Sequence, residues 1–178
     1  MCKILIIYST TDGQTKLICE RIKLTSKYNN QTKIISIDQA VKENLFNYEM
    51  IIVGASIRYG KHNYKVLNFV KNNKKILENK KSIFFSVNLV ARKSNKNSPN
   101  TNPYIKKFLK LSHWIPNKSA VFAGKIDYPK YSFLDKQIIR LIMLFTKGPT
   151  NTEKSYEFTD WSKVDEFSQQ IDQILPQK

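Results

Sequence analysis

The sequence is poor in cysteine, histidine, glycine and arginine, and each shortage removes a class of chemistry. Its two cysteines, Cys2 and Cys19, form neither a CxxC pair nor a spaced ligand cluster. That excludes a disulfide framework or a zinc ribbon and suits free thiols in a reducing compartment. With only His62 and His113 as histidines, neither a metal-ligand set nor a Ser-His-Asp constellation can be assembled, and no metal is expected. The five glycines build neither GxGxxG nor GxxxxGK[ST], so dinucleotide and Walker-type nucleotide sites are disfavoured. Long hydrophobic runs are missing too. No stretch reaches the ~18 apolar residues of a membrane span, and the opening MCKILIIY is too short for a signal-peptide core. A cytoplasmic location is expected.

What the chain has in excess is positive charge, a formal +16 from 30 basic and 14 acidic residues. Such a field draws anions: nucleic acid, acidic lipid headgroups or carboxylate substrates. Four of the basic residues are arginines (Arg21, Arg58, Arg92, Arg140) and the rest are lysines spread along the whole chain, which also fits a plain compositional bias. No nucleic-acid recognition motif accompanies them, and nucleic acid is not expected as a partner. At 178 residues one domain, 1–178, is expected.

Short apolar runs rich in β-branched residues recur at 3–8, 33–37, 50–55, 82–87 and 120–124. They read as five parallel strands buried on both faces. Between them, helical periodicity marks 15–27, 64–77 and 103–111, and Asp160 is a good N-cap for a last helix carrying Val164, Phe167, Ile171, Ile174 and Leu175. The fold class expected is α/β, a doubly wound five-stranded parallel sheet of order 2-1-3-4-5, with ligands at the carboxyl ends of strands one, three and four. Residues 125–158 exceed an ordinary connection and read as an insertion near the last strand.

Three loops fall at that edge. The first, Ser9-Thr10-Thr11-Asp12-Gly13-Gln14-Thr15, opens a helix, where free N–H groups and the helix dipole favour an anion and hydroxyls can donate to phosphate oxygens. An ordinary N-cap accounts for the same residues equally well. The second runs Ser56-Ile57-Arg58-Tyr59-Gly60 with His62 after it, and the third Ser86-Val87-Asn88-Leu89-Val90-Ala91 with Arg92 and Lys93 after it. Their apolar and aromatic side chains with flanking amides suit a flat ring system. Ordinary loop chemistry is the plainer alternative. His62 is a candidate proton acceptor, although an ordinary loop histidine is favoured, and His113 is read as structural.

The run Thr10-x-Asp12-Gly13-Gln14-Thr15 resembles the flavodoxin phosphate signature T-x-T-G-x-T, with Asp12 in place of a threonine and its carboxylate expected to point away or cap the backbone. Taken with GASIRYGKH and SVNLVARK, it resembles more closely the flavodoxin-like quinone-dependent protoporphyrinogen IX dehydrogenases. That likeness extends to Thr101, Tyr104, Lys107-Phe108-Leu109, Ala123-Gly124, Tyr128-Pro129, Tyr131, Leu141-Ile142-Met143 and Thr159-Asp160-Trp161. The resemblance implies a flavodoxin-like fold and FMN held by the three loops. It further implies oxidation of protoporphyrinogen IX to protoporphyrin IX in haem biosynthesis, with electrons passed to menaquinone or ubiquinone. Arg58, Arg92 and Lys93 become candidate countercharges for the substrate propionates. A flavodoxin-type electron carrier without a porphyrin substrate is the alternative; such carriers are characteristically acidic, and this chain is basic. Within 133–145 the run 138–145 is apolar nearly all round, with Lys136 and Arg140 the basic residues of the segment, which is far too short to span a bilayer. It reads as a buried helix or, preferred here, an interfacial helix on an anionic membrane surface, placing the protein peripherally on the cytoplasmic side of the inner membrane.

Overall fold

A computed structural model of the chain describes residues 3–175, so Cys2 lies outside the described residues. Strand β1 (Ile4–Ser9) lies inside the sheet with a parallel neighbour on each side, and alternation along it divides the core. Leu5 and Ile7 point into one hydrophobic layer while Ile4 and Ile6 point into the other. Successive strand side chains face opposite ways, so a run apolar at every position needs helices on both faces.

The strands β2 (Thr32–Ser36), β3 (Met50–Arg58), β5 (Lys81–Val87) and β6 (Lys118–Phe122) complete a parallel sheet of order β2-β1-β3-β5-β6. In chain order this is the expected 2-1-3-4-5 arrangement. Helices α1 (Gln14–Thr25) and α7 (Trp161–Ile174) cover one face, with Ile18, Ile22, Val164, Phe167 and Ile171 buried. Asp160 caps α7 by accepting from the Lys163 N–H. The other face is covered by α2 (Ile37–Ala40), α3 (Tyr64–Asn72), α4 (Lys74–Asn79) and α5 (Pro103–Ser112). The single helix expected over 64–77 is broken in two. Asn73 donates its side-chain amide to the Phe69 carbonyl and leaves helical geometry, the usual competition of an Asn side chain with its own backbone.

Two departures from the sequence reading bear on function. First, β3 runs past its last sheet partners and returns antiparallel as β4 (Lys61–His62), so 56–62 is a hairpin rather than an open loop. Both turn residues, Tyr59 and Gly60, have positive φ, the geometry that matches strand twist in two-residue turns. Tyrosine is an unusual occupant of that conformation. Second, residues 125–158 are structured throughout much of their length. Strands β7 (Lys125–Asp127) and β8 (Ser155–Glu157) pair antiparallel, and between them lies α6 (Phe133–Phe145). Ile126, Tyr128, Ile139 and Met143 form a small core of their own.

Candidate functional site

Ligands reach doubly wound sheets at the carboxyl ends of the strands, and an open cavity lies there. The floor is the turn after β1, with Thr10, Thr11, Asp12, Gln14 and Thr15; one wall is Ser56–Gly60 and another Val87–Val90. Of the residues singled out in the sequence, Ser9, Gly13, Ser86 and Ala91 support these loops without lining the cavity. Gly13 sits at the N-cap of α1 with φ 86°, a conformation that favours glycine, and it brings the loop round into the helix.

The floor carries the sharpest chemical signal. The hydroxyls of Thr10 and Thr15 are buried and have no hydrogen-bond partner. A buried partnerless hydroxyl is costly, and native structures leave few of them. Both lie where the first turn of α1 presents unpaired N–H groups, so they fit a phosphomonoester as additional donors. An ordinary N-cap does not explain them: Gly13 occupies the cap position and no side chain caps α1.

Asn88 organises the third loop from below. Buried, it donates to Ser86 Oγ, accepts from the Ala91 N–H and exchanges hydrogen bonds with Asn102. Polar side chains thereby fix the 3₁₀ turn that carries Leu89 and Val90 to the cavity wall. His62 does not line the cavity. Its ring packs against Phe84 and Phe108 and shares a hydrogen bond with Ser86 Oγ, and burial lowers its pKa to about 4. His62 is a half-buried packing residue of the hairpin, set away from the cavity lining.

The proposed propionate countercharges are also occupied differently. Arg92 donates to the Leu89 carbonyl at 2.8 Å and to the Thr146 carbonyl and hydroxyl at 2.9 Å each, and burial lowers its pKa. It fastens the end of α6 to the third loop. Arg58 lies 3.5 Å from Asp12 and 3.1 Å from Asp135, between the faces of Tyr59 and Tyr131. Burial opposes its charge, but Tyr59, Asp12 and Asp135 together hold its pKa above the ordinary value. Lys93 is half-buried beside the cavity rather than in it. The carboxylate of Asp12 accepts from the Tyr131 hydroxyl at 2.9 Å and pairs with Arg58.

The insertion supplies the roof, which the sequence reading left without cavity residues. Tyr131, Ile139, Ile142, Met143 and Thr146 line it, joined by Tyr104, Gly124 and Lys125. The sequence marks its helix as apolar nearly all round and does not say which residues face the cavity. Ile139 and Met143 turn inward, while Phe133, Leu134, Leu141, Leu144 and Phe145 are exposed. The structure thus shows one face packed and the other bare, where the sequence offered burial or interfacial contact as alternatives.

Residues 5–153 match the model of the flavodoxin domain. The chain is 40% identical over 170 residues to "Protoporphyrinogen IX dehydrogenase [quinone]" of Escherichia coli K12, covering 95% of this chain and 94% of that protein. It is 42% identical over 168 residues to the protein of the same name from Leishmania major, covering 93% and 73% respectively. Among solved structures, oxidised flavodoxin 1 of Bacillus cereus aligns with a TM-score of 0.53 at 14% identity over 98% of this chain and 99% of that one. That likeness carries the fold alone. With a matching domain model and relatives at this identity over most of the chain, the chain belongs to the flavodoxin-domain family, among the quinone protoporphyrinogen IX dehydrogenases.

Proposed function

We propose that the protein is an FMN-dependent dehydrogenase that oxidises protoporphyrinogen IX to protoporphyrin IX in haem biosynthesis and delivers the electrons to a membrane quinone. The observation that carries the flavin is the pair of partnerless buried hydroxyls, Thr10 and Thr15, at the foot of an apolar cavity. They would hold the phosphate with the N–H groups of the α1 start. Ile57, Tyr59, Leu89 and Val90 would cover the ring, and backbone amides of both wall loops would serve its polar edge. FMN, when bound, supplies the two-electron redox chemistry.

The residues of the chain position, shield and admit. Helix α6 contributes Ile139, Ile142 and Met143 to the cavity lining and would shield a bound ring from water on that side. With Arg58 and Arg92 engaged elsewhere, Lys125 is the remaining cation among the described residues lining the cavity. Its one pairing, to Asp127, is long at 3.7 Å, which suits it to receive a substrate carboxylate at the rim. The bare apolar face of α6, with Lys136 and Arg140 beside it, would rest on anionic lipid at the cytoplasmic face of the membrane, where quinone is dissolved. The net charge of +16 supports that attachment.

The test is anaerobic addition of protoporphyrinogen IX to protein reconstituted with FMN, with the flavin band and porphyrin fluorescence followed together. Bleaching with porphyrin release, then recovery of the band on adding a quinone, is expected. Flavin binding without bleaching would leave only an electron carrier.

A further inference from the structure

A carboxylate in a loop built to receive a dianion is electrostatically adverse, and the position of Asp12 shows what offsets it. Its Oδ2 accepts from the Tyr131 hydroxyl at 2.9 Å and lies 3.5 Å from Arg58 Nη1. Arg58 in turn reaches Asp135 at the first turn of α6, and Tyr59 donates to the same Asp135 carboxylate. The Tyr131 hydroxyl also accepts from the Asp127 N–H at 3.2 Å, tying the strand that leads into the insertion to the same point. On the far side of the loop, Gln14 donates to Glu157 at 3.0 Å and to Thr159 at 2.8 Å, holding the strand that leaves the insertion. Both ends of the 125–158 segment are therefore fastened to the loop after β1, the front one through Asp12 beside the direct contacts of Arg58 and Tyr59 with Asp135.

We propose that Asp12 is a positioning residue for the insertion: through Tyr131 and Arg58 it locks α6 over the cavity, giving up a phosphate donor in exchange for a fixed roof. The apolar contacts of α6 with the body are few, since only Ile139 and Met143 are buried on it, so its placement depends on these polar links. Its other anchor is Arg92 with Thr146, at the opposite end of the helix. Loss of the Asp12 link therefore frees the N-terminal half first. The role concerns the chain itself and does not depend on the porphyrin reading.

Hydrogen exchange of the flavin-free protein, wild type against Asp12→Ala and Tyr131→Phe, tests this without any turnover. Amides of 128–140 are expected to exchange about fivefold faster or more in Asp12→Ala, since removing a partly buried charged acceptor leaves its donors unpaired. Amides of β1, β3 and β5 should be unchanged. The double variant should open 128–140 by less than the sum of the two single effects, because the Tyr131–Asp12 hydrogen bond is common to both, while Tyr131→Phe also removes the acceptor of the Asp127 N–H. Asp12→Asn, which keeps an acceptor for Tyr131, should recover most of the protection. Unchanged exchange over 128–140 or fully additive effects would each overturn the proposal.

Discussion

Replacing Thr10 and Thr15 by valine separates stability from binding, because the two effects have opposite signs. In the flavin-free protein both hydroxyls are buried without partners. Valine has nearly the same shape and no polar group to strand, so each substitution should relieve part of a desolvation cost of about 1–3 kcal/mol. For a chain of this size, each kcal/mol regained raises the melting temperature by about 2–4 °C. Against FMN, each hydroxyl lost is a donor to a charged acceptor, worth about 1.5–3 kcal/mol, or roughly 10- to 150-fold in affinity. Thermal scans without flavin, and fluorescence titrations with FMN and with riboflavin, provide the measurement. Thr10→Val and Thr15→Val should melt at or above wild type, bind FMN far more weakly and bind riboflavin, which has no phosphate, unchanged. Weakening of FMN and riboflavin alike would place the hydroxyls elsewhere than at the phosphate. A melting temperature lowered by several degrees would mean that they serve the fold, and would refute the reasoning.

Other consequences are as direct. His62 is neutral in the folded chain down to pH about 4 because burial disfavours its charge, whereas an unfolded histidine protonates near 6.5. The unfolded state thus binds the extra proton between those values, and about 3 kcal/mol of stability, present above pH 6.5, should be lost as pH falls to 4. His62→Phe should flatten that part of a denaturant-midpoint profile against pH. At Gly54 an added Cβ would lie 2.2 Å from the Phe85 ring, on strand neighbours with no room to part. Gly54→Ala should therefore destabilise by about 1–3 kcal/mol in urea unfolding. The exposed face of α6 should bind vesicles containing anionic lipid and release them at high salt. Replacing both Phe133 and Phe145, 74% and 84% exposed, by serine should abolish cosedimentation with the vesicles without changing the melting temperature.

The sheet was legible because its information is local. Runs such as Ile4–Ile7 and Met50–Val53, apolar at every position, specify strands buried on two faces, and the helical periods between them require crossover connections of one hand. The anion-binding loop was legible for the same reason: hydroxyls and Gly13 between a strand and a helix are a local pattern. Even so, the sequence left an ordinary cap as an equal alternative, and the partnerless state of Thr10 and Thr15 turned the balance. Burial of a particular oxygen depends on everything packed around it.

The uses of the charged residues were not legible. Arg58, Arg92 and His62 stand beside the ligand loops in sequence and looked available. In space Arg58 clamps two carboxylates, Arg92 holds a carbonyl 54 residues away, and His62 is turned into the aromatic core. Likewise the sequence established by itself that 133–145 is an apolar helix too short to cross a bilayer, but not which residues it shows to the cavity. Periodicity fixes which side chains share a face; only the partners brought in by the rest of the chain decide where that face points. For this protein the sequence determined the doubly wound sheet and the place of its loops, and tertiary contacts decided that the insertion closes over them.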